Sequence, residues 1–532
     1  MYIRRFLASF FGSLSVAVLT TAVSGADWPQ WGGADCRNMV SDETGLPDTF
    51  SRGERKTGGG IDLSTAENVK WVVRTGSATY GNPTVASGRV FLGTDDFLLS
   101  NSDRFKRTRG GLVQCFDEAN GELLWQLIVP QRTKLPPGIH FGHQHLGVCS
   151  SPTVEGDRVY VVTSASDVLC LDINGQADGN AGPFTDEASY MVGRDGSPVE
   201  LASTDADIIW RFDPMDELAV RPHDAASCSI LIHGQMLYLS TSNGVDGPHA
   251  KVLEPEAPAV IALDKMTGKL VAVEGEGLSS RLYHAQWSSP TLGEVNGKTL
   301  IFVGGGDGVC YAFEALEKVP DEPVKLKKAW SYDCNPQNFK YRDGKLISYY
   351  AGDKRKRNSP NKNDGAYVGP SQIIATPIFD NNRIYVAIGQ DPAHGRGKGM
   401  FYCIDATQTG DVTDTAKIWT YVGIERSMAT AAVTDGLVYV VDIAGKLHCM
   451  DPDTGECYWV YETGSETWGG PLVADGKLYF GNKKLFYVMA EGKEAKLINE
   501  IRLGNPIYTT PIAANGVLYV ATQHYLYAVG QK

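Results

Sequence analysis

The residues of this 532-residue chain that could do chemistry gather in a few short, glycine-rich stretches. "GIHFGHQHLGVC" (138–149) holds His140, His143 and His145, and "PHDAASCS" (222–229) holds His223 and Asp224. "SNGVDGPH" (242–249) adds Asn243, Asp246 and His249, and "YHAQWSS" (283–289) adds His284. "GGGDG" (304–308) adds Asp307, and "GQDPAHGRGKG" (389–399) adds Gln390, Asp391 and His394. Neutral imidazole is a good transition-metal ligand, and histidines at i and i+2 of a strand share one face. A metal centre also needs a fixed element or a carboxylate beside its imidazoles, and the sequence around His140, His143 and His145 supplies neither. That set therefore reads as pocket-lining histidines of a polar loop, and no metal is assigned. The whole group stands as a ligand-binding candidate in which glycines permit close backbone approach.

Other acidic stretches resolve into turns. "CMDPDTGECYW" (449–459) approaches a calcium loop through Asp451, Asp453 and Gly455, but it lacks a third acidic or amide ligand before the glycine, and Trp459 and Tyr461 occupy downstream positions among β-formers. In "LDINGQADGNAGPFTDEA" (171–188) Asp172, Asn174 and Asp178 come in similar order, with the glycine displaced to the eighth place, so a capped turn is expected. "GGGDG" and "GRGKG" precede no helical pattern, which excludes phosphate and dinucleotide loops, and the sequence contains no G-x-S-x-G or H-E-x-x-H.

A repeat supplies the elements that must position these residues. "CMDPDTGECYW" has a near copy in "CFDEANGELLW" (115–125), both reading C-x-D-x-x-x-G-E-x-x-W, and "ALDKMTGKLVA" (262–272) keeps the turn without the tryptophan. Each copy follows a hairpin of the type "SSPTVEGDRVYVV" (150–162): a small-residue strand, a Gly/Asn/Asp turn and an alternating aromatic and aliphatic strand. There are eight such hairpins, centred on Pro83, Pro152, Ile230, Pro290, Pro377, Ala431, Pro471 and Pro511, and the last two intervals are each 40 residues. Four short strands at that period make a propeller blade. The last unit ends without its outer strand, while "VKWVVRTG" (69–76) stands orphaned before the first, so the two are expected to close the ring. The expected fold is an all-β, eight-bladed propeller of four-stranded antiparallel blades over 69–530, preceded by an extension at 27–68. Trp71, Trp125, Trp210, Trp330, Trp419 and Trp459 open the outer strands and are assigned to docking between blades.

Charge and cysteine content narrow the function class. A formal net charge of -13 gives no basic field for nucleic acid, and the one basic run, "DKRKRN" (353–358), sits in a polar loop. Arg4 and Arg5, an apolar run to Leu19 and small residues up to Ala26 predict a secretory leader over 1–26, hence a periplasmic or cell-envelope protein; no later stretch is apolar enough to span a membrane. Ten cysteines would suit a disulfide framework, yet Cys115, Cys170, Cys310, Cys403 and Cys449 recur at one point of the repeat and read as small buried hydrophobes. Cys149 and Cys228 are the pair placed to cross-link.

The signature [AC]-x-D-x-x-x-G-[KE]-x-x-W resembles the tryptophan-docking repeat of pyrroloquinoline-quinone (PQQ) type propellers, over roughly 69–530. That superfamily joins exported quinoprotein alcohol dehydrogenases to cofactor-free relatives such as the BamB lipoprotein of outer-membrane protein assembly. "DWPQWGG" (27–33) and "GQDPAHGRGKG" are similar to segments of exported PQQ-like propellers of planctomycete-type bacteria. The resemblance implies a monomeric binding or scaffold protein with an envelope protein or a small molecule at the channel mouth. Its first alternative is a dehydrogenase using PQQ with calcium, whose quinone stacks on a disulfide of adjacent cysteines; no Cys-Cys pair occurs here. A sugar- or polymer-binding accessory protein is the other alternative.

Overall fold

The structure, a computed structural model, describes residues 25–57, 60–193, 196–347, 350–351, 354–355, 365–366 and 368–531. Residues 1–24 of the expected leader and most of the basic run at 353–358 lie outside them. Eight sheets form the blades, each built on antiparallel strands that follow one another in chain order except for the outer strand of blade 8 and the added strand of blade 7. Blade 1 comprises Thr84–Ala86, Arg89–Asp95, Gly111–Asp117 and Leu123–Val129, and blade 6 comprises Ala432–Thr434, Leu437–Val441, Lys446–Met450 and Cys457–Glu462. Blades 3, 4 and 7 each carry a fifth short strand paired in parallel, at Val324–Leu326, Gly410–Asp411 and Val40–Ser41 respectively. Strand Val69–Arg74 pairs antiparallel with Tyr525–Val529 and completes blade 8, which closes the ring between the two ends of the chain. Among the described residues no helix is long and apolar enough to cross a membrane.

The repeat signature is a joint between blades. The indole N–H of Trp71 donates to Glu118 O of the next blade at 2.8 Å, that of Trp125 to Ile173 O at 2.9 Å, and that of Trp210 to Lys265 O at 3.1 Å. Trp330, Trp419 and Trp459 do the same toward Ala406 O, Pro452 O and Gly492 O. The receiving turn needs glycine, because a Cβ at Gly121, Gly268 or Gly455 would lie within 2.8 Å of the docked indole. Gly455 also sits at φ 72° while Asp451 Oδ1 accepts from the N–H groups of Asp453 and Thr454, so the stretch that resembled a calcium loop is a side-chain-capped turn. The other such stretch is closed internally too: Asp172 accepts from Asn174 N, and the Asn174 amide donates to Asp178.

Small residues on the third strand make room for each ring. Cys115, Cys170, Cys403 and Cys449 face Trp125, Trp210, Trp419 and Trp459 directly across the strand pair. In blade 4 this place belongs to Ala312, opposite Trp330, while Cys310 faces Tyr332; the expectation that Cys310 shares the repeat position is off by two residues along the strand. All ten cysteines are free thiols. The Cys149–Cys228 cross-link is not formed: Cys149 donates to Gly147 O, and Cys228 donates to Ser229 O and accepts from Ser240 N.

Residues 26–43 make a full circuit of the channel where the inner strands end. Trp28 exchanges two backbone bonds with Val85 of blade 1, and Pro29 O accepts from Val154 of blade 2. Arg37 reaches Ile230 O of blade 3 and Pro290 O of blade 4, and Asp35 O, Cys36 O and Met39 O accept from Leu292, Phe379 and Val473. Asn38 pairs with the backbone of Val433 in blade 6, and Glu43 closes the circuit by accepting from Ala26 N and from Asn515 N and Gly516 N of blade 8. This mouth of the channel, the lower one, is therefore covered by the chain itself.

Candidate functional site

The loops that enter the inner strands meet at the upper mouth. Their geometry is set first by an inter-blade ring of bonds: Ser151 N donates to Ser229 Oγ, Ser229 N to Ser289 Oγ, Gly470 N to Thr510 Oγ and Thr510 N to Asn82 Oδ1. On this frame blades 2 to 5 bring His140, His143, His223, Asp224, His249, His284, Asp391 and His394 into one cluster. His145 lies at its rim, its ring 5.6 Å from that of His143.

Asp224 is the centre. Its Oδ1 is 3.1 Å from both His140 Nε2 and His143 Nδ1, and its Oδ2 is 3.8 Å from His223 Nε2 and 3.9 Å from His284 Nε2. The carboxylate expected to be missing beside His140, His143 and His145 is thus present, delivered by another blade. Asp224 holds a left-handed backbone, φ 60°, and is welded to the histidine loop by Asp224 N donating to His140 O and His143 N to Asp224 O. Burial alone would raise its carboxyl, but the bonds to His140 and His143 and the nearby His223 and His284 hold it well below the usual carboxylate range. In return, the bond to Asp224 raises His143.

The inner imidazoles are kept neutral and aimed. Burial pushes His223 down to about 4 and His284 well below its ordinary value. His223 Nδ1 lies 2.7 Å from Val245 O and His249 Nδ1 lies 2.9 Å from Gly247 O; a carbonyl accepts only, so both Nδ1 atoms carry the proton and both Nε2 lone pairs face the cluster. A backbone carbonyl fixing the tautomer from behind is the usual support of a metal-bound histidine. His249 Nε2 and His284 Nε2 lie 2.9 Å apart, and His223 Nε2 and His284 Nδ1 are buried without a hydrogen-bond partner. Three sets of possible ligands overlap here: His223, His249 and His284; His140, His223 and Asp224; Asp224, His284 and Asp391. Two nitrogens on a tetrahedral ion at ~2.05 Å sit roughly 3.3 Å apart, close to the present spacing.

The remaining candidates serve the backbone. Asn243 donates to Glu254 O and Ser279 Oγ and accepts from Arg221 N, and Asp246 accepts from Ala250 N and Lys251 N. Asp307 accepts from Tyr311, Arg281 and Val309 N, and Gln390 donates to Pro370 O. Two features had no recognisable signal: the circuit of residues 26–43, and the aromatic group Tyr80, Trp468 and Tyr508 that shares the upper mouth.

A family model described as "Outer membrane protein assembly factor BamB" matches residues 101–272, 179–461 and 408–492. The chain belongs to that family of PQQ-repeat propellers. No curated protein matches it. Among solved structures it is similar to BamB of Moraxella catarrhalis, at 12% identity over 87% of this chain and 96% of that one, with a TM-score of 0.49. The quinohemoprotein alcohol dehydrogenase of Comamonas testosteroni matches at 13% identity over 95% and 81% of the two chains, TM-score 0.45. The computationally designed Ika8 protein matches at 11% identity over 87% and 99%, TM-score 0.48. A family match does not by itself assign a role, which has to come from the residues of the site. Its donors do not fit PQQ with calcium: calcium takes oxygen ligands, whereas this cluster is rich in imidazole nitrogen, and the described cysteines are all unpaired. They do fit a divalent transition ion.

Proposed function

We propose that this BamB-type propeller is an exported envelope protein that binds one divalent transition-metal ion at the upper mouth of its channel, through His223, His249, His284 and Asp224. The observation that carries the reading is the pair of buried or half-buried imidazoles, His223 and His249, whose Nδ1 protons are committed to carbonyls so that the Nε2 lone pairs converge beside a buried carboxylate. Left without a cation, His223 Nε2 stays buried without a hydrogen-bond partner among the described residues, which is costly. Envelope residence rests on the leader-like N-terminus and on the family's role in outer-membrane assembly. The function is binding, and the mouth presents the ion toward solvent because His140 and His143 are half exposed.

Calorimetric titration of chelator-stripped protein tests this. Zinc, cobalt or copper ions should bind at one ion per chain, and His249→Ala should weaken the affinity at least ~10-fold. If none of these ions gives saturable binding, the proposal is wrong.

A further inference from the structure

Six of the ten tryptophans dock blades, and Trp28, within the N-terminal circuit, is buried in the core. The other three, Trp31, Trp287 and Trp468, line a single cavity of about 160 Å³ on the ring axis, together with Tyr508. Its walls come from the loop or first residues of every inner strand, from Asn82 in blade 1 to Thr510 in blade 8, and Trp31 of the N-terminal circuit is its floor. Trp31 is anchored there by donating to Thr376 Oγ1 at 3.0 Å.

We propose that this cavity binds one ring of a neutral saccharide. Four features support that ligand class. The first is a preformed stacking platform: the Trp468 and Tyr508 rings lie 4.3 Å apart, and Tyr80 stacks on Tyr508 at 5.2 Å and 23°. Glu466 accepts from the Trp468 indole, Lys483 pairs with Glu466 and lies over both the Trp468 and Tyr508 rings, and Gln523 donates to the Tyr80 hydroxyl. The rings are thus oriented before any ligand arrives, which removes part of the ordering cost of binding. A pyranose presents a C–H face that the negative face of an indole or phenol attracts.

The second feature is the polar part of the wall. Beside the rings it offers the hydroxyls of Ser227, Ser289, Thr376 and Thr430 and the amide of Asn82. These are the partners that hydroxyl groups at the rim of a sugar ring require. The third is charge: no charged side chain is among the lining residues, and Lys483 above the two rings is paired with Glu466, so a polyanion such as a quinone carboxylate meets no unpaired cation there. The fourth is size. Pockets for drug-sized ligands start at roughly 300 Å³, so this cavity takes a single ring, the terminal residue of a glycan or a free monosaccharide. The site is adjacent to the metal cluster but independent of it; Trp287, which touches the His284 ring edge-on at 5.0 Å, is the wall between them.

The test uses the mature chain with D-glucose, D-galactose, D-mannose and N-acetyl-D-glucosamine as probes, read by saturation-transfer NMR and by tryptophan fluorescence. At least one sugar should bind saturably. Trp468→Ala should weaken it about tenfold, the loss of one stacking contact, while Trp468→Phe retains most of the affinity. Zinc affinity should be the same in both variants, which separates a failure here from a failure of the metal reading. Absence of saturable binding by all four sugars, affinity indifferent to Trp468→Ala, or displacement of the sugar by micromolar PQQ would each overturn the proposal.

Discussion

The Nε2 atoms of His249 and His284 face each other at 2.9 Å, with the two imidazoles stacked at 11°. Because His249 Nδ1 is committed to Gly247 O, only His284 can supply a proton to that contact when no cation is present. A metal ion that binds the folded chain and not the unfolded one adds stability by mass action, about 2.7 kcal/mol at a hundredfold excess over Kd. Thermal melting should therefore shift upward on zinc addition and return on chelation. In His249→Ala, whose affinity is at least ~10-fold weaker, the increment should fall to about 1.4 kcal/mol or less at the same zinc concentration, while the metal-free melting temperature stays close to the parent's.

The docking indoles are unequally buried, and this grades their contribution. Trp330 is fully enclosed and hydrogen-bonded to Ala406 O, whereas Trp459 is only partly buried on its strand. Trp330→Ala should cost about 3–5 kcal/mol, as large-to-small core changes do. Trp459→Ala should cost clearly less. Denaturant unfolding of the two variants, compared with the parent, measures the difference; equal costs would show that inter-blade packing does not govern stability.

Asp207 gives a pH signature remote from the site. One of its carboxylate oxygens accepts from Ala181 N and the other is buried without a partner, and burial pushes the group up to about 6 from an ordinary 3.8. The folded chain then holds a proton that the unfolded chain releases between about pH 4 and 6, so stability falls as pH rises through that window. Asp207→Asn should raise stability by about 1–3 kcal/mol at pH 7.5 and leave it unchanged at pH 4. A uniform shift at both pH values would contradict this account.

Arg37 locks the N-terminal circuit. It is fully buried and donates to Pro290 O, Ile230 O, Trp31 O and Gln30 Oε1. Arg37→Ala leaves those acceptors without their donor in a dry site, at a cost of at least ~2 kcal/mol. Because Trp31 is the floor of the axial cavity, limited proteolysis of this variant should cut first within residues 26–43. Cleavage elsewhere, with the circuit still protected, would show that Arg37 is not its anchor.

The fold was legible because a closed ring must repeat its joint. Within the eleven residues 449–459, Asp451 and Gly455 form the turn that receives Trp419 and Trp459 docks on the next blade, and the orphan Val69–Arg74 strand could be matched to the incomplete last blade. The site was legible only in part. The histidines stand out by type, but Asp224 meets His140 and His143 from another blade, and no local spacing encodes such a pairing. Asn243, Asp246 and Asp307 have the composition of ligands and the geometry of turn caps, a distinction that lies in which backbone N–H is orphaned nearby. The circuit of residues 26–43 bonds to each blade at an irregular interval, so it leaves no periodic trace.

The most direct measurement of the central claim is X-ray absorption at the zinc edge on the stoichiometric complex. The account predicts a first shell of imidazole nitrogens near ~2.0–2.1 Å with one oxygen, lost or rearranged in His223→Ala and His284→Ala. A shell of oxygen alone, or one unchanged by both substitutions, would place the ion elsewhere and contradict it.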